Sequence, residues 1–310
     1  MPGPVDPHGS PSAPEPATAP ESPAAPLVVK VGGNAAVDLD AVADDIAEYA
    51  RTGRPVVLVH GGSAEIERLA ERLGVPLRTL EFPGGVTTRH TDPATLEVVL
   101  LALAGAVKPR LVSRINGAGA LAVGLTGLDG ATLLARRKRT LRALVDGRSV
   151  VVRDDHSGRI TEVSTTVLGR LLADGTVPVF SPPALDEDGH PVNVNADRAA
   201  AAVAAALGAH SLLLLTGAPG VLDDPGDENS VLTECALAAS GPVPYTGGGI
   251  AIKLAAAREA LLAGVPEVRI ADGRAARPVS AAIAGAGTRI TLGASRSNLD
   301  APRSNEEVNR

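Results

Sequence analysis

Two lysines stand where lysine is costly. Lys30 lies inside the apolar run Leu27-Val28-Val29-Lys30-Val31 and is followed at once by Gly32-Gly33. Lys253 falls in the first turn of the helical pattern that follows Thr246-Gly247-Gly248-Gly249. A buried ammonium needs an anion to offset the loss of water, and a cation in the first turn of a helix opposes the helix dipole. A further glycine pair sits in His60-Gly61-Gly62-Ser63 and again precedes a helical pattern. Glycine lets backbone approach an anion closely, and a helix start offers unpaired N–H groups. Singly, each feature has a plain structural explanation: a tight turn, a buried ion pair, a solvated lysine. Together, three glycine-rich ends and two lysines describe a site for a phosphate-like anion. It is not a Walker loop, since no G-x-x-x-x-G-K-S/T occurs, and no complete G-x-G-x-x-G supports a dinucleotide site. In Asn193-Val-Asn195-Ala-Asp197-Arg198, Asn195 can cap the Ala-rich helix that follows and Asp197 can sit at its positive end. The alternative is functional: Asp197 aligns the two lysines and Asn193 binds substrate.

These residues need a scaffold that brings strand ends together. Short apolar runs predict strands at 27–31, 55–59, 121–125, 177–181, 211–215 and 267–271. Helical spacing predicts helices at 38–51, 63–73 (capped by Ser63), 93–107, 165–174, 196–207 and 250–263. Alternation of nearly all-apolar strands with helices means an α/β protein with a mostly parallel sheet covered on both faces. In such sheets ligands sit beyond the C-terminal strand ends, where the glycines cluster. Residues 132–163 break the rhythm and read as projecting β-hairpins, with turns at Asp146-Gly147 and Ser157-Gly158.

Composition narrows the function further. The chain has 310 residues, and 29 Lys+Arg against 35 Asp+Glu give a net charge of −6, which argues against nucleic-acid and anionic-membrane binding. Four aromatic residues and no Trp rule out a stacking platform for single strands. The single Cys235 excludes an internal disulfide and a Cys-rich metal site. No apolar run reaches the ~18–20 residues that span a bilayer, and a cytoplasmic location is expected. Residues 1–26 hold nine prolines and read, like 294–310, as a disordered tail. Of the histidines, His60 reads as a packing or turn residue and His90, beside Arg89, as a possible substrate contact; His156, His190 and His210 lack ligand-like spacing.

In order, VKVGGN (29–34), VHGGSAEI (59–66), PGGVTTRHTDPATLEV (83–98), GLTGLDG (124–130), PVNVNADRAAAAVAAALGA (191–209), LLTGAPGVL (214–222), TGGGIAIKL (246–254) and ADGR (271–274) resemble the amino acid kinase family, in its acetylglutamate kinase-like branch. The resemblance covers essentially 27–293. It implies a three-layer αβα sandwich, an acceptor-binding lobe at 27–188 and an ATP-binding lobe at 189–293. It implies that Lys30 and Lys253 neutralise a transferring phosphoryl group and that Asp197 organises them. Gly61, Gly62, Arg89 and Asn193 are implied to bind the acceptor, Arg89 through its α-carboxylate. Gly32, Gly33, Thr216, Gly217, Gly220, Gly248 and Gly249 are implied to face ATP and its phosphates. Mg²⁺ is held mainly by the nucleotide, and no residue is implied as a metal ligand.

Within the branch, HGGSAE, PGGVTTRHTD and GLTGLDG are most similar to kinases that act on α-aminoadipate or glutamate linked through its amino group to a small acidic carrier protein. GGGIAIKL is more like the kinases of free N-acetylglutamate, which stay open as the alternative, as does a catalytically silent nucleotide- or amino-acid-sensing subunit. Arg136, Arg137, Lys138, Arg139 and Arg142 place five positive charges in seven residues. On projecting hairpins they suit an acidic partner; the alternative is a solvated hairpin face. The resemblance further implies a homodimer without arginine feedback.

Overall fold

The computed structural model describes residues 24–33, 36–82, 86–145, 148–245 and 248–293. The expected tails therefore lie outside the described residues, apart from 24–26, as does the expected Asp146-Gly147 turn.

Three segments, Leu27–Val31, Val56–His60 and Val177–Ser181, are buried at every position. Strands covered on both faces require this. They belong to an eight-stranded sheet ordered Glu234–Leu237, Thr288–Leu292, Val268–Asp272, Ser211–Thr216, Leu27–Val31, Val56–His60, Val177–Ser181, Ala122–Thr126. Every pairing in it is parallel except that of Val268–Asp272 with Thr288–Leu292. The α/β expectation and all six predicted strands hold, within a residue at each end.

Side chains of a strand alternate between its faces, and that parity sorts the core. Leu27, Val29 and Val31 pack on the face covered by helices Leu39–Arg51, Lys108–Gly117 and Pro278–Ile283. Val28 packs on the other face, under helices Ala196–Ala206 and Gly248–Leu262. Lys30 shares parity with Val28, so it points toward the two helices that carry Asp197 and Lys253.

Two smaller sheets flank this core. Residues 132–163 form hairpin strands as expected, but they divide. Leu133–Arg137 pairs antiparallel with Gly158–Val163 in one sheet. Leu141–Val145 and Arg148–Val152 form a hairpin that joins Arg78–Phe82 and Val86–His90 in the other. That last hairpin was not anticipated, nor were Glu234–Leu237, Thr288–Leu292, Lys108–Gly117 and Pro278–Ile283.

Local signals explain most helix starts. Asp38 accepts from the amides of Asp40 and Ala41, Asp92 accepts from that of Thr95 ahead of Pro93, and Asn195 accepts from those of Asp197 and Arg198. Two expectations are corrected. The helix Ser63–Leu73 is preceded by Gly62 as cap, without a side-chain bond, so Ser63 is its first residue and not its cap. The single helix expected at 93–107 is α-helical only over Pro93–Leu100; Leu101–Val107 winds as a π-helix.

Candidate active site

At the C-terminal ends of the central strands opens a cleft of about 1890 Å³. At its base, Lys30 Nζ lies 2.7 Å from Asp197 Oδ1. Lys253 Nζ donates to the same carboxylate at 3.1 and 3.2 Å. All three residues are buried. Burial pushes Lys30 down to about 8, with Asp197 opposing the shift and Lys253 adding to it. Burial alone would raise the Asp197 carboxyl, but the two lysines together hold it below its ordinary value. Two cations against one anion leave one buried positive charge in excess. Such a charge is stable only beside an anion, so both early readings of these lysines apply. They form a buried ion pair, and the pair is one negative charge short.

The position of Lys253 is corrected. The helix begins at Gly248, which places Lys253 in its second turn, and its charge is met by Asp197 rather than by a ligand at the helix start.

Beside the triad two glycine turns interlock. A methyl group on Gly33 would lie 2.2 Å from Gly62 N and 2.4 Å from Ser63 N. Only glycine permits that approach. The Ala64 amide donates to Gly33 O at 2.8 Å and the Gly61 amide to Val31 O at 3.2 Å, which ties the turns together. Among the described residues the Gly33 and Gly62 amides donate to no other group, and both glycines line the cleft. These free amides and the excess lysine charge suit phosphate oxygens.

At one end of the cleft stand Arg89 and Asn193. Arg89 Nη2 donates to Glu67 at 3.3 Å, while Nη1 is buried with no partner among the described residues. Burial depresses its guanidinium below the usual arginine value, with Glu67 opposing. An unpaired buried guanidinium N–H is a ready partner for a carboxylate. Asn193 Nδ2 donates to Thr91 Oγ1 at 3.1 Å. Thr216, Gly217, Gly220 and Gly249 also line the cleft, as does Gly32. Gly248 opens the helix Gly248–Leu262. A methyl group on Gly220 would meet Thr288 Oγ1 at 2.7 Å, so packing alone demands that glycine.

The basic run is not uniform. Lys138 lines the cleft, and Arg136 and Arg142 are exposed. Arg137 donates through Nε to Asp155 O at 3.0 Å. Arg139 pairs with Glu187 and Asp188, which neutralise its charge. His90 lies against Asp154 at 3.1 Å and does not line the cleft, which corrects its reading as a substrate contact. Among the lining residues that sequence reasoning missed are Arg159 and Tyr245. Arg159 stands cross-strand from Arg136. Tyr245 holds φ at +71°, a strained value for a bulky residue; its membership of a set of four aromatic residues was the signal available.

The sequence profile of the amino acid kinase family matches residues 25–272. The chain belongs to the amino acid kinase family. Among characterised amino acid kinases, the LysW-aminoadipate kinase of Deinococcus radiodurans is 42% identical over 266 residues, which cover 86% of this chain and 91% of that protein. The acetylglutamate kinase of Methanocella arvoryzae is 37% identical over 283 residues, covering 86% and 90%. Among solved structures, N-acetylglutamate synthase from Neisseria gonorrhoeae superposes with a TM-score of 0.66 at 25% identity, over 87% of this chain and 60% of that one. Family membership carries ATP use with it, and the free amides and excess positive charge fit a nucleotide's phosphates. Among the described residues no helix is long and apolar enough to cross a membrane.

Lys253→Ala leaves Lys30 and Asp197 as a balanced pair, so we expect turnover to fall ~10²-fold or more with little change in the unfolding midpoint. Asp197→Asn strands two buried cations, so it is expected to lose activity and also about 3–5 kcal/mol of stability. Denaturant unfolding of both variants checks this. Equal destabilisation would make Lys253 a structural residue.

Proposed function

We propose that the chain is an ATP-dependent kinase that phosphorylates the side-chain carboxylate of α-aminoadipate or glutamate joined through its amino group to a small acidic carrier protein. The observation that carries the phosphoryl-transfer part is the Lys30–Asp197–Lys253 triad, whose single uncompensated charge lines the same cleft as the free glycine amides. The chemistry needs no general base, because a carboxylate is already an anionic nucleophile at neutral pH. Its difficulty is electrostatic: one anion must approach another. Lys30 and Lys253 offset that repulsion at the transferring group, and Asp197 fixes both ammonium tips at its two oxygens. Removing one such donor typically costs about 3–4 kcal/mol of transition-state stabilisation. Arg89 and Asn193 hold the acceptor, while Thr216, Gly217 and Gly249 flank the nucleotide. The division into an acceptor lobe at 27–188 and an ATP lobe at 189–293 belongs to the same reading, with Asn193 reaching the acceptor from the ATP lobe. Mg²⁺ bound by the nucleotide would supply further charge neutralisation, since Asp197 is committed to the lysines.

The carrier is supported by the 42% identical relative, whose name specifies LysW-aminoadipate, and by the charge on the flanking sheets. Arg136, Lys138, Arg142 and Arg159 are exposed there, on a chain whose total is −6. Such a face steers an acidic partner. A homodimer belongs to the same reading, supported by Leu121 at 62% exposure just ahead of the edge strand Ala122–Thr126 and Val123 at 37% on it; light scattering that returns the mass of one chain overturns it.

With ATP and Mg²⁺, hydroxylamine should trap an acyl phosphate on carrier-linked aminoadipate or glutamate. Comparable turnover on free N-acetylglutamate would move the assignment to the alternative. The phosphate-neutralising form of Lys30 is the protonated one, so kcat/KM should fall as pH rises through about 8. A rate that is flat to pH 10 removes Lys30 from that role. Reversing Arg136, Lys138 and Arg142 to glutamate should raise KM for the carrier by ~10-fold or more at low salt, with the effect shrinking at high salt and KM for ATP unchanged. Unaltered carrier kinetics would dismiss this face.

A further inference from the structure

Three buried side chains, His60, Leu103 and Val107, pack against the Gly61–Gly62 turn, and Leu103 also lines the cleft. His60 ends the strand Val56–His60 and is 0% exposed. Its Nδ1 lies 3.0 Å from Gly61 O. A carbonyl only accepts, so Nδ1 carries the ring proton and Nε2 is a bare acceptor. Nε2 is buried and has no hydrogen-bond partner among the described residues. Burial, reinforced by Lys108 and Lys30 and opposed by the Gly61 carbonyl, pushes the imidazole down to about 3. The ring is therefore neutral at working pH, and its single N–H proton stays on Nδ1 and is donated to the Gly61 carbonyl.

That bond has a geometric consequence. The Gly61–Gly62 peptide is trans, and across a trans peptide the C=O and the following N–H point to opposite sides. Binding Gly61 O to a residue within the core turns Gly62 N–H outward, into the cleft that Gly62 lines.

A second support is steric. Leu103 and Val107, both buried, lie four residues apart on the π-helix Leu101–Val107. A methyl group on Gly62 would lie 2.6 Å from Leu103 Cδ2 and 3.4 Å from Val107 Cγ2. On its other side Gly62 N meets Gly33, whose added methyl would be 2.2 Å away. A π segment redirects side chains relative to an α-helix, and here both redirected side chains meet the same glycine.

We infer that His60, Leu103 and Val107 are positioning residues, which fix the Gly61–Gly62 peptide so that Gly62 N–H is aimed at the anion before any ligand arrives. The inference rests on the phosphoryl-transfer reading above. Donors held in place in advance are the ones that stabilise developing charge most, because no reorganisation is needed during reaction.

His60→Leu removes the donor, roughly keeps the volume and eliminates the unpaired Nε2, so its unfolding midpoint should not fall. Its kcat is expected to drop by ~10- to 100-fold, with KM for ATP changed less than about threefold. His60→Asn, whose amide can donate to the same carbonyl, should recover most of the loss. A His60→Asn variant as slow as His60→Leu, or a His60→Leu variant with wild-type kcat, overturns the role of His60. A crystal structure of His60→Leu should show the Gly61–Gly62 peptide rotated; an unrotated peptide overturns the inference whatever the turnover. Wild-type turnover with an unrotated peptide leaves the kinase reading intact, whereas a wild-type enzyme inactive on every acceptor counts against that reading alone. For the π-helix, Gly62→Ala should lose ~100-fold in kcat, and adding Leu103→Ala should restore at least ~10-fold by vacating the clash. No recovery in the double variant removes Leu103 from the role.

Discussion

Two ammonium groups share one buried carboxylate, and the arrangement is deliberately incomplete. Lys30 and Lys253 both lie against Asp197, away from water. A 1:1 pair could be replaced by packed hydrophobic residues at little cost. A 2:1 cluster could not be justified by stability at all, since the second lysine adds repulsion. Its logic appears only when a phosphate-bearing ligand enters and the cluster becomes neutral or better. The fold therefore stores an electrostatic demand at the base of the cleft, and the ligand meets it. The downward displacement of Lys30, driven first by burial, is the local sign of that demand.

Three distant stretches of chain must converge to build this cluster, and simple rules bring them together. Strand parity sends Lys30 to the same face as Val28. The Ala-rich surface of Ala196–Ala206, with Ala199, Ala200, Ala201 and Ala204 buried, lets that helix lie close to the sheet and to Gly248–Leu262. Asn195 fixes where the first of these helices begins and so fixes the height of Asp197 above the sheet. Alongside, the contact between Gly33 and Gly62 locks the ends of neighbouring strands into one anion-binding surface.

Much of this was legible in sequence because a charge within an apolar run is conspicuous. Lys30 was found that way, whereas Asp197 and the glycine pairs stood out by their place at the ends of strands and the starts of helices. What was not legible is what depends on tertiary partners. Lys253 was referred to a helix start because the true start, Gly248, lies two residues earlier than the helical pattern shows. Ser63 has the chemistry of a cap, yet the backbone approach of Gly33 reserves that position for Gly62. The π-helix is silent because Leu101–Val107 is apolar throughout, and an apolar stretch reports burial without reporting winding. Arg139 counted as a free charge until Glu187 and Asp188, some fifty residues away, were found beside it. The hairpin of Arg78–Phe82 and Val86–His90 escaped notice because its strands are mostly exposed and too short for alternation to stand out.

Transfer to a carrier-linked acceptor changes how binding energy must be distributed. A free amino dicarboxylate offers only its own few polar groups, so a site for it must enclose it and exploit each one. A tethered acceptor brings a macromolecular surface, and contacts remote from the reacting carboxylate can contribute to orientation and to offsetting the repulsion of two anions. The cleft is built in a manner that fits the second case. Its base carries the fixed charge and amides that act on the transferring group, while Arg159, on a strand outside the main sheet, and Lys138, just past the end of its neighbour, line its wall and remain exposed. Charges placed there act at long range and are screened by salt, whereas the buried triad acts at contact and is not. The protein thus separates two electrostatic tasks by depth: attraction of the partner at the rim, and stabilisation of the migrating phosphoryl group where water is excluded.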